Sequence, residues 1–158
     1  MAGIPLYSTP IAPEWIDFNG HLRDAYYGLV LSYATDALMD RIGVDAAYRE
    51  RTRCTLFTVE TYINYRREVL ASDRLEVLTR VLACDHKRIH AAFELMVARR
   101  REPVATAEQL MLHVRQDAAP VTASFPEEIT AALAALRTAS ADLAADGPGS
   151  RALGLTRR

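Results

Sequence analysis

Apolar residues recur at Ala25, Tyr26, Leu29, Val30, Tyr33, Ala34, Ala37, Leu38 and Ile42, a spacing of three and four that predicts one long helix. Asp24 stands where an N-cap belongs, and Gly43 stands where a left-handed residue would end the helix. Tyr27, Leu31 and Met39 fill further faces, so this helix is expected to be covered on most sides. The period then changes to two. Phe57, Val59, Thr61, Ile63 and Tyr65 alternate with polar positions, as do Leu75 to Val81, Ile89 to Val97, and Val104 to Val114. Short polar links, Ala71-Ser72-Asp73, Asp85-His86-Lys87 and Arg101-Glu102-Pro103, predict that consecutive strands pair antiparallel. Residues 4–12 (IPLYSTPIA) read as a short first strand, held to an edge by Pro5 and Pro10. After Pro126, EEITAALAALRTASADLAA predicts a second helix with acidic residues at its positive end, packed outside the sheet or on the surface. The tail DGPGSRALGLTRR reads as loop, with ALGL as an edge strand or a disordered stretch.

One long helix followed by a meander argues for α+β, with a curved antiparallel sheet wrapped around a central helix and a C-terminal helix added, the hotdog arrangement. Residues 1–120 are expected to form this domain, with 121–158 as a helix and tail of the same domain. Composition agrees: of 158 residues, 50% are apolar and 25% charged, enough for one core. Lys plus Arg (19) nearly cancels Asp plus Glu (20), so no basic field invites nucleic acid or a membrane surface. The start MAGIPLYSTP has no secretory signal pattern, and no apolar run approaches the ~20 residues of a membrane span, so a cytoplasmic protein is expected. Cys54 and Cys84 are too few for a disulfide framework and are expected as buried thiols. His86, His90 and His113 stand at no metal-ligand spacing, and no metal site is expected.

Candidate chemistry concentrates in DFNGHLRDAYYG, residues 17–28, where polar groups crowd the start of an apolar helix. A tight Asn-Gly turn with a cap explains these residues structurally: Gly20 takes positive φ, and Asp17 bonds the turn backbone. A functional account uses the helix end. Amides near Asp24 and Ala25 would stabilise an oxyanion, with Asp17 as base or nucleophile, a combination suited to acyl transfer.

The run Pro13-Glu14-Trp15-Ile16-Asp17-Phe18-Asn19-Gly20-His21, followed by Tyr26-Tyr27, resembles the active-site loop and central helix of the 4-hydroxybenzoyl-CoA thioesterase group of hotdog proteins. SYATDALMDRIGVDAAYR, TLFTVETYINYRREV, DHKRIHAAFEL and ATAEQLMLHV resemble a narrower branch, the betainyl-CoA thioesterases of bacterial carnitine breakdown and the thioesterase part of some carnitine dehydrogenases. These stretches lie within residues 7–116. In the broad group the loop after the His often carries Asn, where this chain has Arg23 and Asp24; GHLRDA is close to the betainyl form.

The resemblance implies hydrolysis of a short acyl-CoA, betainyl-CoA first, by a homodimer or dimer of dimers with sites at the subunit interface. It implies no cofactor, CoA being part of the substrate, and makes Asp17 the catalytic carboxylate. His21 is then expected to brace the loop by bonding to backbone. Trimethylammonium has no proton to donate, so aromatic faces and carboxylates are its natural partners. Trp15, Tyr26, Tyr27, Phe57, Tyr62 and Tyr65 are the aromatic candidates, Asp24 and Glu60 the counter-charges, and Asn19 completes the loop. Arg66, Arg67, Lys87 and Arg88 are available to CoA phosphates but read equally well as solvated surface. The rivals are a thioesterase for another small acyl group and a non-catalytic acyl-CoA-binding hotdog protein. A hotdog hydratase is disfavoured, because its loop resembles D-x-N-P-x-H, whereas Gly20 replaces the Pro and His21 follows Asp17 by four residues.

Overall fold

The structure is a computed structural model that describes residues 3–140. The chain runs β1 (Ile4–Pro10), a 3-10 turn (Pro13–Trp15), α1 (Asp24–Ile42), α2 (Ala46–Thr52), β2 (Cys54–Tyr65), β3 (Arg74–Cys84), β4 (Arg88–Val97), β5 (Ala105–Arg115), β6 (Val121–Thr122) and α3 (Glu127–Ser140). The end of the expected second helix, residues 141–145, and the tail with ALGL lie outside the described residues. No helix among the described residues is long and apolar enough to cross a membrane.

Five strands form one antiparallel sheet in the order β1-β3-β4-β5-β2, with β6 added on β5. The expected hairpins β3–β4 and β4–β5 are present. The first link is not a hairpin, however: Ala71-Ser72-Asp73 leads from β2 on one edge to β3 on the other side of the sheet, and β2 pairs with β5. A short turn sets a change of direction, but the strands' long-range partners set the order. Both proline-bearing ends of β1 sit on the opposite edge, where a missing N–H costs no ladder bond.

Helix α1 begins one residue earlier than a cap at Asp24 requires. Arg23 is the N-cap residue and Asp24 is the first helical residue. At the other end Gly43 adopts φ 89°, and Val44 donates to the Met39 carbonyl at 2.8 Å, so the stop forms as expected. Tyr27, Val30, Leu31, Ala34, Thr35, Leu38, Met39 and Ile42 are buried, a broad stripe facing the concave side of the sheet. Cover on most sides is not met within one chain: Ser32, Tyr33, Asp36 and Asp40 are exposed. Tyr33 entered the pattern as apolar, yet its ring only leans on Tyr7, centroids 5.8 Å apart.

Two further expectations are corrected. Ile129, Leu133 and Leu136 of α3 join the same buried cluster as α1, so this helix shares the core instead of packing outside the sheet. Cys54 is buried, but Cys84 is only half-buried near the end of β3. Helix α2 was not legible from periodicity because it is a two-turn element, although Asp45 caps it by accepting from the Tyr48 amide at 2.8 Å.

The α2 end of the core is closed by His113, which is 1% exposed. Its Nδ1 lies 2.9 Å from the Ala123 carbonyl and so carries the proton, leaving Nε2 to accept from the Tyr48 hydroxyl at 3.0 Å. Burial pushes the imidazole below the usual 6.5, because the charged ring loses its hydration. The unfolded ring keeps the ordinary value, so the contribution of His113 is complete above pH 6.5 and is lost as pH falls through the lower folded value. His113→Gln is expected to cost about 1–2 kcal/mol at neutral pH. It should also flatten the fall of Tm between about pH 7 and pH 5. Thermal melts of both proteins across that range test this, and parallel curves would refute it.

Candidate active site

The local geometry begins at Pro13, whose fixed φ suits the first position of the 3-10 turn. That turn brings the Trp15 carbonyl to the Arg23 amide at 2.9 Å and pairs Ile16 with Leu22, so residues 17–21 close as a loop. Asp17 donates its amide to the His21 carbonyl at 2.8 Å, and Gly20 donates to the Asp17 carbonyl at 3.1 Å. Gly20 takes φ +80° there, with open space where a Cβ would stand, so backbone strain rather than crowding favours glycine. The Leu22 amide reaches the Val69 carbonyl at 2.8 Å and His21 pairs with Leu70, which ties the loop to the segment after β2.

Inside this loop the Asp17 carboxylate is held at one oxygen. Oδ1 accepts from the Asn19 amide at 2.8 Å and the His21 amide at 3.1 Å, while Oδ2 has only a 3.4 Å contact from Asn19 Nδ2. The His21 amide, and after it the Asn19 groups, hold the carboxyl below its usual 3.8 against a smaller opposing effect of desolvation. The site therefore presents an ionised carboxylate with one oxygen largely unengaged.

Asp17 opens onto a cavity of about 590 Å³ between the loop, the start of α1 and the end of β2. His21, Asp24, Tyr27, Tyr65, Arg66, Arg67 and Glu68 share its walls. Tyr27 sets its ring edge-on to Tyr65, centroids 5.1 Å apart and planes at 86°, and donates to the Arg67 carbonyl at 3.4 Å. Burial first, then the neighbouring Tyr65 and acidic groups, push the Tyr27 hydroxyl up to about 12, so it is a neutral donor. At the helix start the Ala25 amide is taken by Asp24 Oδ1 at 2.9 Å, and the Tyr26 amide by the Arg23 carbonyl at 3.0 Å.

The residues singled out from sequence fall into three places. Asp17, His21, Asp24 and Tyr27 line the cavity, and Asn19 and Ala25 bond the two carboxylates beside it. Trp15 and Tyr26 stack on each other, centroids 5.4 Å apart and planes at 18°, and neither lines the cavity. Phe57, Glu60 and Tyr62 lie opposite Leu112, Leu110 and Glu108 of β5. The inner face of β5 is the other set, since Gln109 Oε1 accepts from the Thr35 hydroxyl of α1 at 2.7 Å. Those three candidates therefore point away from α1 and do not meet the cavity of their own chain. For Phe57 the cause is a bulge: Val59 is an extra residue between Thr58 and Glu60, and one extra residue exchanges the faces of a strand.

His21 ties into the loop through its backbone, its amide donating to Asp17 Oδ1 and its carbonyl accepting from the Asp17 amide. Lys87 and Arg88 stand at the far end of β4, where Arg88 pairs with Asp85 at 2.6 Å. Glu68 and the solvent-facing Phe18, 94% exposed, are walls that sequence reasoning missed. The available signal was the break of alternation after Tyr65, where Arg-Arg-Glu-Val replaces the strand pattern. Among the described residues no group of three or more His, Cys, Asp or Glu is placed to hold a metal ion.

Comparison with known proteins agrees with this geometry. A Pseudomonas aeruginosa protein named betainyl-CoA thioesterase is 44% identical over 149 residues, covering 94% of this chain and 93% of the relative. The crystal structure of a proposed thioesterase from Pseudomonas putida KT2440 superposes with a TM-score of 0.81 at 37% identity, covering 100% of this chain and 99% of that one. A Staphylococcus aureus hypothetical protein in complex with CoA superposes with a TM-score of 0.80 at 25% identity, over 87% of each chain. Residues 11–133, which contain the Asp17 loop, α1 and the whole sheet apart from β1, match the Thioesterase-like superfamily, and the chain belongs to that hotdog family of thioester hydrolases.

Proposed function

We propose that the chain hydrolyses betainyl-CoA to glycine betaine and free CoA. The observation that carries this reading is the ionised Asp17 carboxylate, one oxygen tied and one open, at a cavity that begins at the positive end of α1. The likeness to the Pseudomonas aeruginosa relative supports the acyl group.

In the proposed reaction Asp17 takes a proton from water as the water oxygen adds to the thioester carbonyl carbon. The growing oxyanion lies at the positive start of α1, where it takes the Ala25 amide once Asp24 Oδ1 gives it up. The C–S bond then breaks, the acyl carbon keeps the new oxygen, and the departing thiolate takes the proton back from Asp17. A carboxylate held below its usual pKa is a weak base. The ammonium one methylene away makes this carbonyl unusually electrophilic, which suits it to such a base. A burst of free CoA ahead of glycine betaine, of the size of the enzyme concentration, would instead mark attack by Asp17 itself through a mixed anhydride.

The basic side of the cavity supports a CoA ester. Arg67 is shared with a neighbouring groove of about 350 Å³ walled by Arg100, Arg101 and Glu102, where guanidiniums are in reach of phosphates although Arg67 pairs with Glu102 and Arg100 with Glu68. Steady-state release of CoA from betainyl-, acetyl-, butyryl- and benzoyl-CoA tests the assignment. Preference for betainyl-CoA is expected; preference for another ester would move the substrate, and cleavage of none would remove the enzyme reading.

A homodimer is part of the same proposal. One edge of the sheet is β2, where Phe57, Val59 and Tyr62 are all exposed, and the uncovered side of α1 lies on the same flank around Ser32 and Asp36. An open, apolar edge strand is a surface that a second chain covers. Light scattering is expected to give the mass of two chains or a multiple of two, and a value of one chain at micromolar concentration would refute the dimer.

A further inference from the structure

We propose that Tyr65 and Asp24 form a cation-selective end of the cavity, where the quaternary ammonium of the acyl group rests on the Tyr65 ring beside the Asp24 carboxylate, so that neutral acyl groups are disfavoured. This rests on the thioesterase reading above and names the groups that choose its substrate.

Tyr65 ends β2 on the inner face, opposite the small Ala105, and is 52% exposed. Its contact with Tyr27 is edge to face, so at least one face of its ring is left for a ligand. Asp24 lines the same cavity, and its charge, after desolvation, raises the pKa of the Tyr65 hydroxyl, which places the carboxylate within electrostatic reach of the ring. An aromatic face and an acid on one cavity wall are the two features that hold an ammonium without N–H groups.

The chemistry of the substrate then constrains where this end lies. In a betainyl ester the nitrogen is one methylene from the carbonyl carbon, so cation and oxyanion must sit side by side. Asp24 meets that demand because its Oδ1 sits on the Ala25 amide, at the helix start where the oxyanion grows. With a neutral acyl group this carboxylate repels the oxyanion and competes with it for an amide. With a betainyl group the ammonium neutralises the repulsion. Asp24 therefore penalises the wrong esters as well as attracting the right one. Arg66 and Arg67 also line the cavity, but Arg67 leads into the Arg100–Arg101 groove and pairs with Glu102 at 3.7 Å. Arg23, next to Asp24, lines the cavity as well, and its exposure to solvent screens its charge.

The test compares kcat/KM for betainyl-CoA with that for 3,3-dimethylbutyryl-CoA, in which a carbon replaces the charged nitrogen without change of shape. Wild type is expected to favour the charged ester by about 10-fold or more. Tyr65→Leu should cut that ratio by about 3- to 30-fold, whereas Tyr65→Phe should retain most of it. Asp24→Asn should cut the ratio from both sides, slowing the charged ester and speeding the neutral one, a gain that a merely structural defect does not produce. Equal rates for the two esters in wild type, or an unchanged ratio in Tyr65→Leu and Asp24→Asn, would overturn the proposal while leaving the thioesterase reading in place. Cleavage of neither ester by wild type would bring down both.

Discussion

Asp17→Asn is expected to lower kcat for thioester cleavage by about 10²- to 10⁴-fold, the range that a positioned general base supplies. The fold should survive. An Asn carbonyl oxygen can accept the same two bonds that Oδ1 accepts from the Asn19 and His21 amides, so the loop keeps its closure. What the variant loses is the negative charge and the open Oδ2, the parts that the proposed chemistry uses. A Tm within a few degrees of wild type, combined with collapsed turnover, would bear out this division, and near-normal turnover would remove Asp17 from its role. The pH dependence follows from the same bonds. Because the His21 amide lowers the Asp17 pKa, the carboxylate stays ionised as pH falls from neutrality, and its acid limb in kcat/KM is expected below the usual 3.8. A limb near pH 6 would point to another group.

The second large effect concerns the scaffold. Phe93 is 1% exposed in β4, the middle strand of the sheet, and its register neighbours are Thr79 on β3 and Ala107 on β5. Small flanking residues leave the ring to fill the space between sheet and α1. Phe93→Ala is expected to cost about 3–5 kcal/mol, the transfer of the ring plus the cavity it leaves. Set against a typical total of about 5–15 kcal/mol, that is a large share of the stability. For a domain of this size it corresponds to a fall in Tm of roughly 6–20 °C. Phe93→Leu, which fills most of the space, should lose much less. Urea unfolding monitored by fluorescence tests both variants, and similar midpoints for Phe93→Ala and wild type would show that the ring is not part of a tightly packed core.

The loop that carries Asp17 was legible because its determinants are local. Pro13 sets the turn before it, Gly20 supplies the positive φ, and the Asn19 and His21 amides that hold the carboxylate lie within four residues of it. The same holds for α1, whose stop at Gly43 and buried stripe follow from spacing and one left-handed residue. The hairpins β3–β4 and β4–β5 are equally short-range. The order of one long helix and then a meander supplied the hotdog architecture, and resemblance to a known family, carried by those same stretches, supplied the thioesterase activity.

What the chain alone determined is therefore the long helix, the main strands and the helix after Pro126, the Asp17 loop at the head of the buried helix, and the chemistry that such a loop supports. Tertiary structure decided which side chains share the cavity. Pairing of β2 with β5 joins residues about 40 to 60 positions apart, so no local pattern announces it. The bulge at Val59 exchanges the faces of β2 and turns Phe57 outward. Packing of the segment after β2 against the loop brings Tyr65 and Glu68 to Asp17 and Asp24. The physical reason is the same in each case: dihedral preferences and spacing act over a turn or two, whereas strand partners and the faces they present are chosen by burial summed over the whole sheet.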